Sequence, residues 1–240
     1  MGKDKLKRMQ FSLLGVIPAR AGSKGIKNKN IREVCGRPLI YYTIKNSLGH
    51  REIYKTIVTT DSLEIARVAR RYNVEVPFIR PKALAKDNTS MLDVLRHALS
   101  ECERKYHIQF DGIILFDPTS PLRDREDIKE MIKIFMQKKP DLVVGVAKSR
   151  RNPYFNMLKM RRKRYAGLVL EANFSRRQDA PHIFDIANNC WIFSRRAVLS
   201  GWRIPKKTIA YQIKGPYVDI DREEDLELLE WYLKKMRVFQ

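Results

Sequence analysis

Short apolar runs rich in β-branched residues alternate with segments of helical period through the first part of this chain, which restricts it to βαβ units around a mainly parallel sheet. The spacing predicts strands at Leu13 to Ile17, Thr56 to Thr59, Val74 to Val76, Ile113 to Phe116 and Leu142 to Ala147. Helices are predicted to open near Pro38, Ser62, Ser90 and Asp124. The last three are residue types that cap orphan backbone N–H groups, and proline suits an opening position because it has no N–H to satisfy. The helix from Asp124 to Lys139 carries acids in its first turn and lysines in its last, matching the helix dipole. From about Lys148 to Asp185 the rhythm gives way to a basic, polar stretch, read as an insertion or subdomain. The pattern resumes with the apolar run CWIF, a short helix after Arg195 and a strand around Ile209 to Ile213. A strand over YVDID and a closing helix from Arg222 complete it. The expected fold class is a doubly wound, mainly parallel α/β sheet, and such sheets bind ligands at the carboxyl ends of their strands.

A chain of 240 residues, 44% of them hydrophobic, is long enough to bury one main core, so a single domain over 1–240 with an insertion at 148–185 is expected. The formal charge of +21 attracts polyanions, and nucleic acid, nucleoside triphosphates, acidic sugars and anionic membranes all answer that description. No apolar stretch approaches the roughly 20 residues of a membrane span. The basic opening MGKDKLKRM followed by FSLLGVI lacks the longer apolar region and cleavage site of a secretory signal. Cys35, Cys102 and Cys190 are odd in number and widely spaced, which suits buried thiols in a reducing cytoplasm. His50, His97, His107 and His182 form no nucleophile or metal signature, and no GxSxG elbow supports a serine hydrolase.

Directly after the first strand, residues 18–30 read PARAGSKGIKNKN, with Arg20, Lys24, Lys27 and Lys29 and no acid. Gly22 and Gly25 allow tight turns and close approach of backbone N–H groups to an anion, while Ser23 adds a hydroxyl. The loop has neither Walker A nor dinucleotide spacing, and its residues fit a triphosphate cradle and a solvated basic loop equally. In YVDID, Asp219 and Asp221 are spaced i, i+2, so on a strand both carboxylates project from one face. Two hard oxygen ligands suit Mg²⁺, which completes its shell with phosphate oxygens and water; a solvated acidic edge is the alternative. SRRQDAP at residues 175–181 sets Arg176 and Arg177 beside Gln178, planar donors for a carboxylate next to an amide for hydroxyls, although paired arginines in a basic segment are also ordinary surface.

The run IPARAGSKGIKNKNIREVCGRPLIYYTI at residues 17–44 resembles the opening motif of the acylneuraminate (CMP-sialic acid) cytidylyltransferases. Two more segments agree, PFIRPKALAKDNTSMLDV at 77–94 and DPTSPLR at 117–123, so the resemblance covers most of the chain. It implies that Arg20, Ser23, Lys24 and Lys29 meet the phosphates of CTP, that Asn30 lies near the ribose and base, and that Arg80 and Ser90 lie near cytosine. It also implies that Asp219 and Asp221 hold the metal. The commoner family form has glutamine where this chain has Asp117; an acid there accepts hydrogen bonds from sugar hydroxyls, helps hold a metal, or caps a turn before Pro118. With NPYFNM upstream, the RRQD segment looks like the branch that handles nonulosonic acids such as legionaminic acid. In the sialic branch an Asn-Gly pair follows the RRQD region, whereas this chain reads FDIANNCWIF. The family is dimeric through its insertion, which assigns 148–185 to dimerisation, with Phe155, Met157, Leu158 and Tyr165 as its apolar part.

The sequence therefore reads as a cytoplasmic, homodimeric nucleotidyltransferase that joins CMP from CTP to the anomeric hydroxyl of an acidic keto-sugar, with Mg²⁺ as cofactor. Arg20, Lys24, Asp219 and Asp221 are its expected catalytic residues, and Gly25 belongs to its expected substrate loop. The rivals are a 3-deoxy-manno-octulosonate cytidylyltransferase and a non-catalytic, basic nucleic-acid-binding protein on the same fold. Retention of the glycine loop and of both late aspartates favours the enzyme, and a nucleic-acid partner is not expected.

Overall fold

The computed structural model describes residues 11–23, 25–162, 165–171, 174 and 176–236. Backbone contacts divide the chain into two compact units, one made of 1–145 with 187–240 and the other of 146–186. The first unit is built on β1 (Leu13–Pro18), which is buried along its whole length, as a central strand covered on both faces must be. A hairpin follows, β2 (Glu33–Val34) and β3 (Arg37–Pro38), joined by Cys35 and Gly36, both at positive φ. Positive φ at both positions is the signature of the type I′ form of a two-residue hairpin loop. This corrects the expectation of a buried thiol at Cys35, which is exposed at the turn, while Cys102 and Cys190 are buried as expected.

Helix α1 (Leu39–Ser47) opens at Pro38, and β4 (Ile53–Thr59), α2 (Leu63–Arg71) and α3 (Met91–Tyr106) follow. Next come β5 (Gly112–Leu115), α4 (Arg125–Lys138) and β6 (Leu142–Lys148). The caps fall where the residue types place them. Ser62 accepts from the Ile65 N–H at 3.3 Å, Ser90 from the Leu92 N–H at 3.3 Å and Asp124 from the Glu126 N–H at 2.8 Å. Val74 to Val76 does not form the expected strand. Asn73 has a left-handed φ of 59° and Pro77 has no N–H to donate, so pairing is limited to one parallel bridge between Ile57 and Glu75.

After the second unit, β9 (Phe184–Ser194), α5 (Arg195–Ser200), β10 (Thr208–Gln212) and α6 (Glu223–Met236) close the first. The six-stranded sheet runs β10-β6-β9-β5-β1-β4. β1 is parallel to β4 on one side and to β5 on the other, while β5 is antiparallel to β9. The chain thus winds outward from β1 to β4 and returns on the other side of β1. That reversal leaves a crevice beyond the carboxyl ends of β1 and β5. Ile17, Val58, Ile114, Phe116, Ile132, Phe135 and Ile192 belong to the apolar cluster that fixes the sheet against its helices.

YVDID, expected as a strand, is extended but unpaired in any ladder. β5 already has β1 and β9 on its two sides, so no edge near it is free. The segment is held instead by one backbone bond, Ile220 N–H to the Thr119 carbonyl at 2.8 Å, and by burial of Val218 and Ile220 in a second apolar cluster with Leu122, Leu226 and Leu229.

The second unit contains the hairpin β7 (Leu158–Met160) and β8 (Ala166–Leu168), with Leu158 paired to Leu168. Its hub is Asn152, 7% exposed. The Asn152 side chain accepts from the Tyr154 N–H at 2.9 Å and donates to the Pro181 carbonyl at 3.3 Å, and its own N–H donates to Asn156. NPYFNM is thereby a local folding signal, since each of those groups would otherwise lack a partner.

Candidate active site

A cavity of about 300 Å³ lies at the switch point, lined by Pro18, Arg20, Ser23, Gly25, Lys29, Asn30, Arg80, Met91, Asp117, Thr119 and Asp221. Eight of the sequence-predicted site residues therefore surround one space. Lys24 lies outside the described residues. Ser90 is exposed and caps α3, whose first residue, Met91, lines the cavity. Arg176 and Gln178 belong to the second unit and are exposed there; Arg176 pairs with Asp179 at 3.7 Å. The side chain of Arg177 is outside the described set.

Three contacts shape the loop after β1. The Asn30 amide donates to the Arg20 carbonyl at 3.0 Å, so its side chain is bonded to the loop itself. The Lys29 ammonium, 9% exposed, donates to the Ile220 carbonyl and reaches Asp221 Oδ1 at 3.2 Å, tying loop to YVDID. Gly25 lies so close to the Asp221 carbonyl that any Cβ would collide with it, which explains a glycine there without appeal to unusual φ. Gly25→Ala is expected to displace the loop from Asp221 and lower kcat/KM for CTP by about 10²-fold, the scale of a 1 Å misplacement, with the circular dichroism unchanged. Steady-state kinetics on the folded variant checks it, and wild-type kcat/KM would mean the loop position is irrelevant to turnover.

Arg80 is 4% exposed, and its Nε and Nη2 have no hydrogen-bond partner among the described residues. Its nearest acid, Asp61, stands 3.9 Å away, and burial holds the guanidinium below its ordinary pKa. A buried polar group with unused donors costs free energy, so its place at the cavity wall marks it as waiting for an acceptor. Arg20 is occupied by Asp87 at the rim.

The aspartates stand apart in role. Asp221 is exposed and bonded to Lys29, whereas Asp219 is half-buried and absent from the cavity lining. Ser120 and the Asn188 amide donate to its two oxygens, the latter at 3.1 Å. Burial pushes the Asp219 carboxyl above the usual range, with those two bonds opposing the shift and Asp117 and Asp221 adding to it. Asp117 Oδ1 accepts from the Thr119 N–H at 3.0 Å and hydroxyl at 2.9 Å, the turn role considered for it, while the residue also lines the cavity. Arg123 was not anticipated. Its guanidinium donates to the carbonyls of Asp117 and Asn189 and to Thr43 Oγ1 at 3.0 Å, and burial pushes it down to about 10. It pins the DPTSPLR turn beneath the cavity. Ser120 and Arg123 sit in DPTSPLR and Asn188 in FDIANNCWIF, but no local pattern marks any of the three.

Among the described residues no group of three or more His, Cys, Asp or Glu forms a metal cage. The donor set still fits Mg²⁺, which takes one or two carboxylates and leaves its other positions to phosphate and water. Asp219 and Asp221 supply oxygen only, and their mutual repulsion is the electrostatic condition a divalent cation relieves.

Cations converging on a polar cavity at the switch point of a doubly wound sheet, with the carboxyl of Asp219 raised in pKa behind it, define an α/β enzyme that handles a phosphorylated nucleotide. The cytidylyltransferase family matches residues 14–239, and the chain belongs to it; it is a nucleotidyltransferase. It is 34% identical to the post-translational flagellin modification protein B of Campylobacter coli, over 93% of this chain and 95% of that one. It is also 34% identical to the CMP-N,N'-diacetyllegionaminic acid synthase of Campylobacter jejuni, over 92% and 94% of the two chains. Among solved structures, a CMP:2-keto-3-deoxy-manno-octonic acid synthetase complexed with CTP superposes with a TM-score of 0.69 over 94% of this chain and 99% of that one, at 13% identity, which is a likeness of fold.

Proposed function

We propose that this enzyme transfers CMP from CTP to the anomeric hydroxyl of an acidic nonulosonic sugar of the legionaminic or sialic acid type. The hydroxyl oxygen bonds to the α-phosphorus, the bond from that phosphorus to the β-phosphate bridging oxygen breaks, and pyrophosphate leaves as the hydroxyl proton is lost. The observation that carries the reading is Arg80: a residue of the cavity wall formed with the glycine loop, whose buried guanidinium keeps two donors unused among the described residues. Identity of 34% along nearly the whole length of the legionaminic acid synthase favours the longer acylated sugars over 3-deoxy-manno-octulosonate, to whose synthetase the likeness is one of fold.

Mg²⁺ at Asp219 and Asp221 supplies charge to the phosphate oxygens when bound. Lys29 orients Asp221, and Ser120 and Asn188 orient Asp219. Arg176, Arg177 and Gln178 are assigned to the sugar. Arg176→Ala is expected to raise KM for the acid about tenfold or more and leave KM for CTP near wild type, since one charged hydrogen bond is lost on one substrate. Initial rates with each substrate varied in turn check it, and an unchanged sugar response removes the arginine from that role.

The enzyme is proposed to work as a cytoplasmic homodimer through residues 148–185. In favour, Leu158, Met160 and Tyr165 on the β7–β8 hairpin are 63%, 71% and 72% exposed, an apolar surface that water alone does not favour. Leu158→Asp with Met160→Asp is expected to shift the mass seen by analytical ultracentrifugation from dimer to monomer; a wild-type monomer contradicts the assignment. The function is tested by pyrophosphate release from CTP with N,N'-diacetyllegionaminate, N-acetylneuraminate and 3-deoxy-manno-octulosonate in parallel. Turnover with one of the first two supports it, and turnover with the third alone overturns it.

A further inference from the structure

The charge of +21 exceeds what a cavity using Arg20, Lys29 and Arg80 explains. One concentration of the remaining cations lies at the end of the sheet opposite the cavity. There β1 and β5 begin and β9 ends, with Gly112 opposite Ser194 and Leu13 beside Gly112. The turn between α5 and β10 reads GWRIPKK, and Pro205 is its one buried residue. Trp202 and Ile204 stand out from it at 45% and 53% exposure, next to Leu199 in the last turn of α5 at 45%. Arg203, Lys206 and Lys207 surround them, all exposed.

The backbone brings more charge to the same place. The Lys207 carbonyl accepts the Asp141 N–H at 2.9 Å, which sets the turn beside the end of α4 and its exposed Lys138 and Lys139. These five cations have no ion-pair partner among the described residues, whereas Arg195 and Arg196 nearby are paired with Glu103 and Asp141. Arg196 also stacks over the Trp202 ring at 5.8 Å, which holds the indole outward. Phe11 packs edge-on against Phe135 of α4.

We propose that this face docks on an anionic phospholipid surface. The occupant follows from charge and chemistry. A second copy would bring the same unpaired cations against each other, which like-charge repulsion opposes. A nucleic acid would answer the cations but has no use for exposed Leu199 and Ile204. A bilayer interface takes both: headgroups meet the lysines and arginines, and tryptophan with aliphatic side chains enters the boundary below them. Docked this way, the nucleotide cavity faces away from the membrane and stays open to its substrates.

The test is co-sedimentation of the full chain with vesicles of phosphatidylglycerol and phosphatidylcholine, and with phosphatidylcholine alone, at about 0.1 M salt where the screening length is near 10 Å. The expected result is binding to the anionic vesicles and none to the neutral ones. Trp202→Ser with Ile204→Ser, and separately Arg203→Glu with Lys206→Glu, should each weaken binding about tenfold or more with CTP turnover unchanged. The second pair is at exposed positions, so it reports even if the first fails to fold. Absence of binding to anionic vesicles overturns the proposal, as does binding that neither pair changes. A nucleic-acid face is the outcome if a DNA duplex displaces the vesicles and the apolar pair has no effect. A self-association face is the outcome if Trp202→Ser changes the oligomeric state instead.

Discussion

Asp219→Asn is expected to lower turnover of CTP by about 10² to 10³-fold, the scale for loss of one preorganised charged group in a transition state. The substitution keeps size and shape, and Ser120 continues to have a polar neighbour, so the fold is expected to persist. What changes is charge: the amide no longer offers a hard anionic ligand, and half of it now donates where the Asn188 amide also donates. The variant should also need more magnesium for half-maximal rate. Pyrophosphate release titrated with Mg²⁺, alongside circular dichroism, checks both parts. A folded Asp219→Asn variant that titrates like wild type would place the metal elsewhere. Asp221, exposed and bonded to Lys29, should respond in the same direction.

Arg80→Met is expected to act with opposite signs on stability and on CTP binding. In the free enzyme the guanidinium is buried with two unused donors, an arrangement costing about 1–3 kcal/mol, and a methionine of similar length removes that cost while keeping the contacts. The free variant should therefore melt at the same temperature or a higher one. With CTP present the donors are the point, and loss of a charged hydrogen bond worth about 1.5–3 kcal/mol raises KM for CTP roughly 10- to 100-fold. Thermal melts with and without CTP, together with KM, read the two effects separately. A large fall in stability of the free variant, with KM unchanged, would make Arg80 a structural cation and withdraw it from the site.

How far the sequence carried this account depended on the range of each interaction. β1 was legible because a central strand must be apolar on both faces, and Leu13–Pro18 is. Ser62, Ser90 and Asp124 were legible because a cap bonds two or three residues ahead. The alternation in YVDID was also legible, yet it does not mean a ladder here: two buried residues, Val218 and Ile220, keep the segment extended without a partner strand. Ser120 and Asn188 were out of reach because they meet Asp219 across 99 and 31 residues, and no local pattern marks them. Arg123 meets Thr43 across 80. Cys35 followed the habit of its residue type into the wrong place, since the hairpin it turns needs a left-handed backbone at a surface. Eight of the cavity's residues were nevertheless named in advance, chiefly through the resemblance to the acylneuraminate cytidylyltransferases, since the cations and glycines after the first strand alone fit a solvated loop as well.

The central claim is a CMP transfer, and the most direct measurement follows the α-phosphorus. CTP labelled there is incubated with the enzyme, Mg²⁺ and N,N'-diacetyllegionaminate or N-acetylneuraminate, and the products are separated. The account predicts that the label leaves CTP for a CMP-sugar diester, with one unlabelled pyrophosphate released per diester formed and no release without sugar. Label that stays in CTP with every nonulosonic acid, or that appears as free CMP whether or not sugar is present, would contradict it.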